Sequence, residues 1–353
     1  MPIWKSTRIA ALRDACRRPE QMGACLRRTM CSYKLGFARA ANVAMTVAMH
    51  ESRGPIDDGR SHLEANLGLY LAAVLIWGST WFAITLQLGR VPPEVSVAYR
   101  FALAGAILLS WCRVRGLRLA YSLRDHLRMA SLGALLFGLN YVCAYRAEQQ
   151  LASGLVAVIF SLIVFLNIIG TRVLFGTPLK PQTLAGAAFG IAGVALVFLP
   201  EIRHASSEAR PALGLGYALV GTVSSSLGNL VSARNQRNGL PVVQMNTFGM
   251  IYGALFVGIY ALVLGQPFVF DARFSYLASL GYLALFGSVI AFGAYLTLVG
   301  RIGADRAGYT AAAIPVVALL MSTCFEGLQW HSGTVFGITC CLIGNVLVLR
   351  RWS

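Results

Sequence analysis

The chain has 353 residues, 57% of them hydrophobic and 12% charged, with a mean hydropathy of +0.64. Soluble domains carry about 25% charged residues, so most of this chain does not face water. The net charge of +16 would suit a nucleic-acid surface, but eleven of the thirty Lys and Arg residues lie in the first 65 positions and most others in short loops between apolar runs. That is a pattern of membrane orientation, which argues against a nucleic-acid partner.

Residues 1–65 form a basic tail, including "STRIAALRDACRRPEQMGACLRRTM", with no 20-residue apolar run and no secretory-signal layout. It reads as an interfacial amphipathic segment, as a disordered tail, or as sequence upstream of a true start at Met45 or Met49. Beyond it, a hydrocarbon core of about 30 Å calls for roughly 20 apolar residues per helix. That criterion predicts ten spans, at 67–87, 95–113, 127–146, 151–171, 182–199, 212–232, 242–264, 275–299, 307–325 and 333–350. Most linkers are short and hold Pro, Gly or Arg, as in "GRVPPE" and "RIGADRA", which suits antiparallel neighbours. Backbone groups in lipid must be satisfied within each segment, so the expected fold is an all-α membrane bundle.

With the N-terminus inside, the inner connections and the C-terminal end hold thirteen Lys and Arg residues and the outer connections five: Arg90, Arg146, Arg203, Arg210 and Arg273. The bias places both termini in the cytoplasm. Eight cysteines and five histidines show no CxxC or metal-ligand spacing, so no metal or cofactor is expected. The lack of a Walker motif argues against a built-in ATP engine, and nothing implies an ATPase subunit.

"GAAFGIAGVALVF" (186–198) matches "GITCCLIGNVLVL" (337–349) at Gly186/Gly337, Gly193/Gly344 and Leu196-Val197/Leu347-Val348. "ASGLVAVIFSL" lies over "RAGYTAAAIPV", and "NLGLYLAA" over "ALGLGYAL", in the same order in both halves. The repeats are placed at 66–200 and 211–350. A unit with an odd number of spans begins and ends on opposite sides, so the second copy inserts upside down. Inverted repeats place a site near the midplane and alternate access by rocking.

"LIWGSTWFAIT", "PPEVSVAYRFALAGAILL", "AYRAEQQLASGLVAVIFSLIVFLNIIGTRVLFG", "LAGAAFGIAGVALVF", "AAAIPVVALL", "FEGLQW" and "GNVLVLRR" follow one another over about residues 66–350. In these stretches the chain resembles the EamA-type ten-helix transporters of the drug/metabolite transporter superfamily. The resemblance implies a carrier of the cytoplasmic membrane, often an exporter of amino acids, related metabolites or drugs. It also implies a cavity between the halves, with the fifth and tenth helices as outer supports. Two departures stand out: Ser161 replaces a usual proline, and Thr177 replaces a usual acidic residue after Gly176. Pro315 keeps the proline of the second half and is the expected bend in span nine.

Arg100 lies six residues past Glu94, roughly 9 Å deeper along a helix. It could snorkel to the headgroups or face a wet interior. Alignment with Asn246 of the other half, also polar, points to a path lining where a guanidinium could hold a substrate carboxylate. Trp77 and Trp81 share a helix face, as packing seam or aromatic wall. Asn140 in span three and Asn229 in span six are further lining candidates, whereas Tyr145 reads as an interfacial anchor. The glycine rows of spans five and ten read as packing faces. Glu148 and Glu326, near outer ends, are the candidates for proton coupling.

The expected function is a non-enzymatic secondary transporter that moves small metabolites by alternating access, outward in direction. The alternative within transport is import of a nucleoside, sugar or vitamin-like solute. A multi-span membrane enzyme would need His, Asp or Glu clusters at headgroup level, which the loops do not supply. Expected partners are a small-molecule substrate and the lipid bilayer.

Overall fold

The computed structural model describes residues 59–176, 181–203, 210–302, 309–328 and 330–349. All ten expected spans appear there as helical rods. Rod one is α1 (Gly59–Thr85) and rod two is α2 (Pro93–Val114). Rod three runs from α3 (Leu123–Leu132) through a π-helical segment (Gly133–Leu139) into α4 (Asn140–Glu148). Rod four is α5 (Ser153–Phe160) and α6 (Ile163–Phe175), and rod five is α7 (Pro181–Arg203). Rods six and seven are α8 (Pro211–Arg237) and α9 (Val242–Val263). Rod eight runs from α10 (Phe274–Tyr282) through a second π segment (Leu283–Ile290) into α11 (Ala291–Ile302). Rods nine and ten are α12 (Tyr309–Phe325) and α13 (Ser332–Leu349).

Six of the rods are long and apolar enough to cross a membrane, and rods five, nine and ten carry shorter apolar stretches. Rod six is 27 residues long but its middle holds Thr222, Ser224, Ser225, Ser226 and Asn229. The packing carries an internal two-fold. Rod two packs on rod seven and rod five on rod ten. Rod one packs on rods eight and nine, and rod six on rods three and four. Exchanging each rod for the one five places on leaves this pairing unchanged. Each set holds an odd number of rods, so equivalent rods run in opposite directions and the two sets are inverted repeats.

The glycine rows act as packing faces. A Cβ on Gly193 would lie 2.5 Å from the Gly337 carbonyl, and one on Gly344 2.6 Å from the Gly186 carbonyl. With no side chain at these points, α7 and α13 approach backbone to backbone. These two rods pack chiefly on each other.

Several local features differ from the sequence expectation. Helix α1 starts at Gly59 and so takes in the end of the stretch assigned to the basic tail. The rest of that stretch, and Thr177, lie outside the described residues. Rod four is broken at Ser161-Leu162, although no proline stands there. The Ser161 hydroxyl donates to the Val158 carbonyl (2.7 Å) and Leu162 N–H bonds back only three residues, to Ile159. At the break the rod thus carries a serine bonded to its own helix backbone in place of the family's usual proline. In the other half Pro315 is buried inside a continuous α12. Its neighbours Ile314 and Val317 close on Gly78 of α1.

Candidate functional site

The two π segments meet the opposite half in matched fashion. In each, one amide bonds five residues back: Asn140 N–H to Leu135 and Ala291 N–H to Phe286. Such wide turns leave carbonyls turned outward for other partners. The Leu135 carbonyl accepts from the Ser224 hydroxyl of α8 (2.8 Å). The Gly287 carbonyl accepts from Trp77 Nε1 of α1 (3.1 Å). Each first rod therefore holds the irregular turn of the opposite half.

Arg100 sits beside the second of these turns. It is 1% exposed, so it does not snorkel to the surface. Nε donates to Ser288 Oγ at 3.3 Å, and Ser288 in turn donates to the Leu283 carbonyl. The guanidinium carbon lies 4.5 Å from the ring centre of Tyr141 and 5.2 Å from that of Phe101. Nη1 is buried without a partner, and Arg100 forms no ion pair among the described residues. An aromatic chain leads away from it across both halves, through Phe101, Phe137, Phe292, Trp77 and Tyr295, with centroids 5.1–5.5 Å apart at successive steps. Cation and rings together make a place where the charge of an anionic group and the face of an apolar body can both be met.

Arg100 also interacts with Tyr145 and Glu148 of α4, and Gln87 partners Tyr145. Tyr145 is fully buried and donates its hydroxyl to Gln87 Oε1 (2.7 Å). It is therefore no interfacial anchor: an interior acceptor holds its polar end inside. Glu94 is also buried and pairs with Arg146 at 2.8 Å, tying α2 to α4 near the expected outer surface. Glu326 accepts from the backbone N–H of Ser153 (2.9 Å) and from its hydroxyl, and so caps the start of α5.

The structure brings Arg100 and Trp77 together through the adjacent residues Gly287 and Ser288. Trp81 turns to rod four, where it meets Phe160 at the break (4.9 Å). Asn140 is buried, donates to the Leu136 carbonyl (3.1 Å) and leaves Oδ1 unpartnered. Asn229 is half-buried, next to Gly228, which packs on Leu136. Asn246 does not match Arg100 in depth. Arg100 lies eight residues past the N-cap Pro92, and Asn246 five past the N-cap Pro241. The neighbouring Thr247 touches Cys112, twelve residues beyond Arg100, which is about 18 Å along the helix.

Gln87, Tyr141, Tyr145 and Ser288 join the cluster without having been singled out for it from the sequence. Tyr141 and Tyr145 stand with Glu148 at i, i+4 and i+7, a spacing that marks one helix face and could have tied these two tyrosines to it. Among the described residues no group of His, Cys, Asp and Glu could hold a metal ion.

Known proteins give this arrangement its context. The uncharacterized inner membrane transporter YedA of Escherichia coli (strain K12) is 29% identical over 289 residues, 79% of this chain and 91% of that protein. The uncharacterized transporter YoaV of Bacillus subtilis (strain 168) is 23% identical and covers 79% of this chain and 92% of its own length. A solved crystal structure superposes with a TM-score of 0.59 at 19% identity, over 80% of this chain and 96% of the other, and shows the same fold. Residues 66–199 and 212–350 each match the EamA-like transporter family. With ten rods in two inverted sets and both halves matched, the chain is a multi-pass membrane transporter and belongs to the EamA-like transporter family.

Proposed function

We propose that the chain moves small metabolites, amino acids and related compounds among them, outward across the cytoplasmic membrane by alternating access. The path runs between the two inverted halves, set at 66–200 and 211–350, with both termini in the cytoplasm. The observation that carries this reading is Arg100, a buried cation between α2 and the second π segment that lacks an ion-pair partner among the described residues. Intramembrane charges of this kind mark substrate or ion pathways. Trp77 belongs to the same wall through its ring contacts and its bond to Gly287. Trp81, Asn140 and Asn229 extend the lining along rods one, three and six, Asn246 lies further along towards the cytoplasm, and Pro315, inside the continuous α12, is the position at which rod nine would flex.

Overproducing cells challenged with toxic amino-acid analogues test the proposal. Resistance is expected with the natural chain and is expected to be lost in both Arg100→Ala and Arg100→Lys, since ammonium cannot reproduce a two-pronged carboxylate contact. Resistance that survives Arg100→Lys would show that the guanidinium does not hold the substrate.

A further inference from the structure

Glu148 closes α4 with 7% of its surface exposed, and neither carboxyl oxygen has a hydrogen-bond partner. Two charged groups face it from other rods, Glu326 from the end of α12 and Arg100 from α2. On its own helix the neighbouring titratable group is Tyr145, committed to Gln87, while Arg146 is turned to Glu94. Glu326 is already engaged, as a cap on Ser153. An ionised carboxylate without donors is costly in an apolar interior, and the neutral acid far less so. Arg100 is the complementary case, a permanent charge with one nitrogen unpartnered. One cluster thus holds a cation with one open nitrogen and no ion pair among the described residues, beside a carboxyl group with no hydrogen-bond donor.

We propose that Glu148 is a proton-linked counter-ion for Arg100. Ionisation of Glu148 and occupation of Arg100 by an anionic group exclude each other, so one proton binds with each anion. This rests on the reading of Arg100 as part of the substrate path. In the described geometry both Glu148 oxygens and Arg100 Nη1 lack hydrogen-bond partners, the arrangement the protonated acid would take. On losing its proton, Glu148 supplies the negative charge that Arg100 lacks. The proton comes from water on the side where the anion enters and departs on the side where it leaves. By reciprocity, the anion strengthens proton binding as much as the proton strengthens anion binding. An inward proton gradient then aids entry of the anion and opposes its exit, so export by this route needs a steeper metabolite gradient.

The test uses the purified full chain in lipid nanodiscs, with benzoate as probe and benzyl alcohol as its uncharged control. Calorimetric titrations in buffers of different ionisation heat read the protons taken up. In the natural chain, about one proton should enter per benzoate above the pH at which Glu148 ionises, and Kd should weaken about tenfold per pH unit. Glu148→Gln, neutral at every pH, should bind benzoate with no pH slope and no proton uptake. Arg100→Ala should bind neither probe selectively. Arg100-dependent benzoate binding without proton uptake, or a slope surviving in Glu148→Gln, would overturn the linkage and leave the Arg100 site standing. Benzoate binding that is absent, or equal in Arg100→Ala, would overturn both. A second measurement needs no variant: dicyclohexylcarbodiimide adds to protonated carboxyl groups, and peptide mass mapping reads its addition at Glu148. Benzoate should raise that labelling several-fold at alkaline pH, and unchanged labelling would overturn the linkage.

Discussion

The paired π segments allow a test of the inverted architecture at single-atom resolution. Ser224→Ala removes one oxygen and leaves the Leu135 carbonyl of the first π turn without the donor now 2.8 Å away. The carbonyl keeps the Asn140 N–H, five residues on, as its remaining donor. Interhelical hydrogen bonds in membranes average about 0.6 kcal/mol and reach about 1.7. Alanine gives back roughly 0.5 kcal/mol through its helix propensity. The net expectation is a loss of about 0–1 kcal/mol by reversible unfolding in mixed micelles, so hydrogen exchange is the deciding readout. Hydrogen exchange should quicken at Asn140 N–H, the amide that closes the turn, and not at Ala291 N–H. Trp77→Phe is the mirror experiment. It strips the donor from Gly287 while keeping a ring against Phe292 and Tyr295, and should quicken Ala291 and spare Asn140. The two turns share no partner, so the double variant should lose the sum of the single losses. If Ser224→Ala changes neither stability nor exchange, the cross-half bond does not hold the turn and the reasoning fails.

Two further outcomes follow from packing and from charge. Gly193→Ala forces a methyl group against the Gly337 carbonyl and the Cys341 amide, which are backbone and cannot swing aside, and should cost about 1–3 kcal/mol in the same unfolding assay. Gly68→Ala on α1, where a Cβ meets nothing within 4 Å, should instead gain up to about 1 kcal/mol, so equal losses at the two positions would contradict the close approach of α7 and α13. In the loop before α10, the Arg273 guanidinium hydrogen-bonded to Asp271 (2.7 Å) holds that carboxyl below its usual value, while burial pulls weakly the other way. A lowered value in the folded state means the contribution is complete above the unfolded carboxylate value of about 3.9 and fades as pH falls through the folded one. The melting difference between the natural chain and Asp271→Asn should therefore be present at neutral pH and close in acid, and a gap that widens in acid would contradict the pairing.

How far the sequence discloses this molecule depends on the kind of force involved. The rods were legible because lipid demands long apolar runs, and "AYRFALAGAILLSW" can satisfy that demand in few other ways. Arg100 was legible because a guanidinium inside such a run is costly enough to demand a reason. The π segments were not, since "GALLFGL" and "LALFGSVI" have the composition of ordinary membrane helix. What supports them is Ser224 and Trp77, 89 and 210 residues away along the chain. Tyr145 was misread for a related reason. Its position near a helix end suggests the headgroups, and only the fold reveals that Gln87, in the turn after α1, waits on the inner side. The rod-four break at Ser161 shows the same limit, because a serine hydroxyl can face solvent, a neighbour or its own backbone, and sequence does not choose.

Arg100 repays closer accounting, because its stability terms nearly cancel. A cation in the middle of a membrane helix costs about 2.5–3.5 kcal/mol on the insertion scale. Against this stand a long hydrogen bond to Ser288, about 1 kcal/mol for a bond of that length to a charged donor. The desolvated faces of Tyr141 and Phe101 add about 1–2 kcal/mol each. Gain and cost differ by roughly −0.5 to +2.5 kcal/mol, so the arginine adds little net stability that a methionine filling the same space could not. What arginine alone adds is a fixed positive charge with one nitrogen left open, placed where an irregular turn of one half meets a helix of the other. Under the proposed alternating access, a charge at the seam of the two halves would be met by different neighbours as the seam opened to each side. Glu148 is the neighbour that can answer it or release it by exchanging a single proton, and substrate recognition and the choice of open side can thereby turn on the same pair of residues.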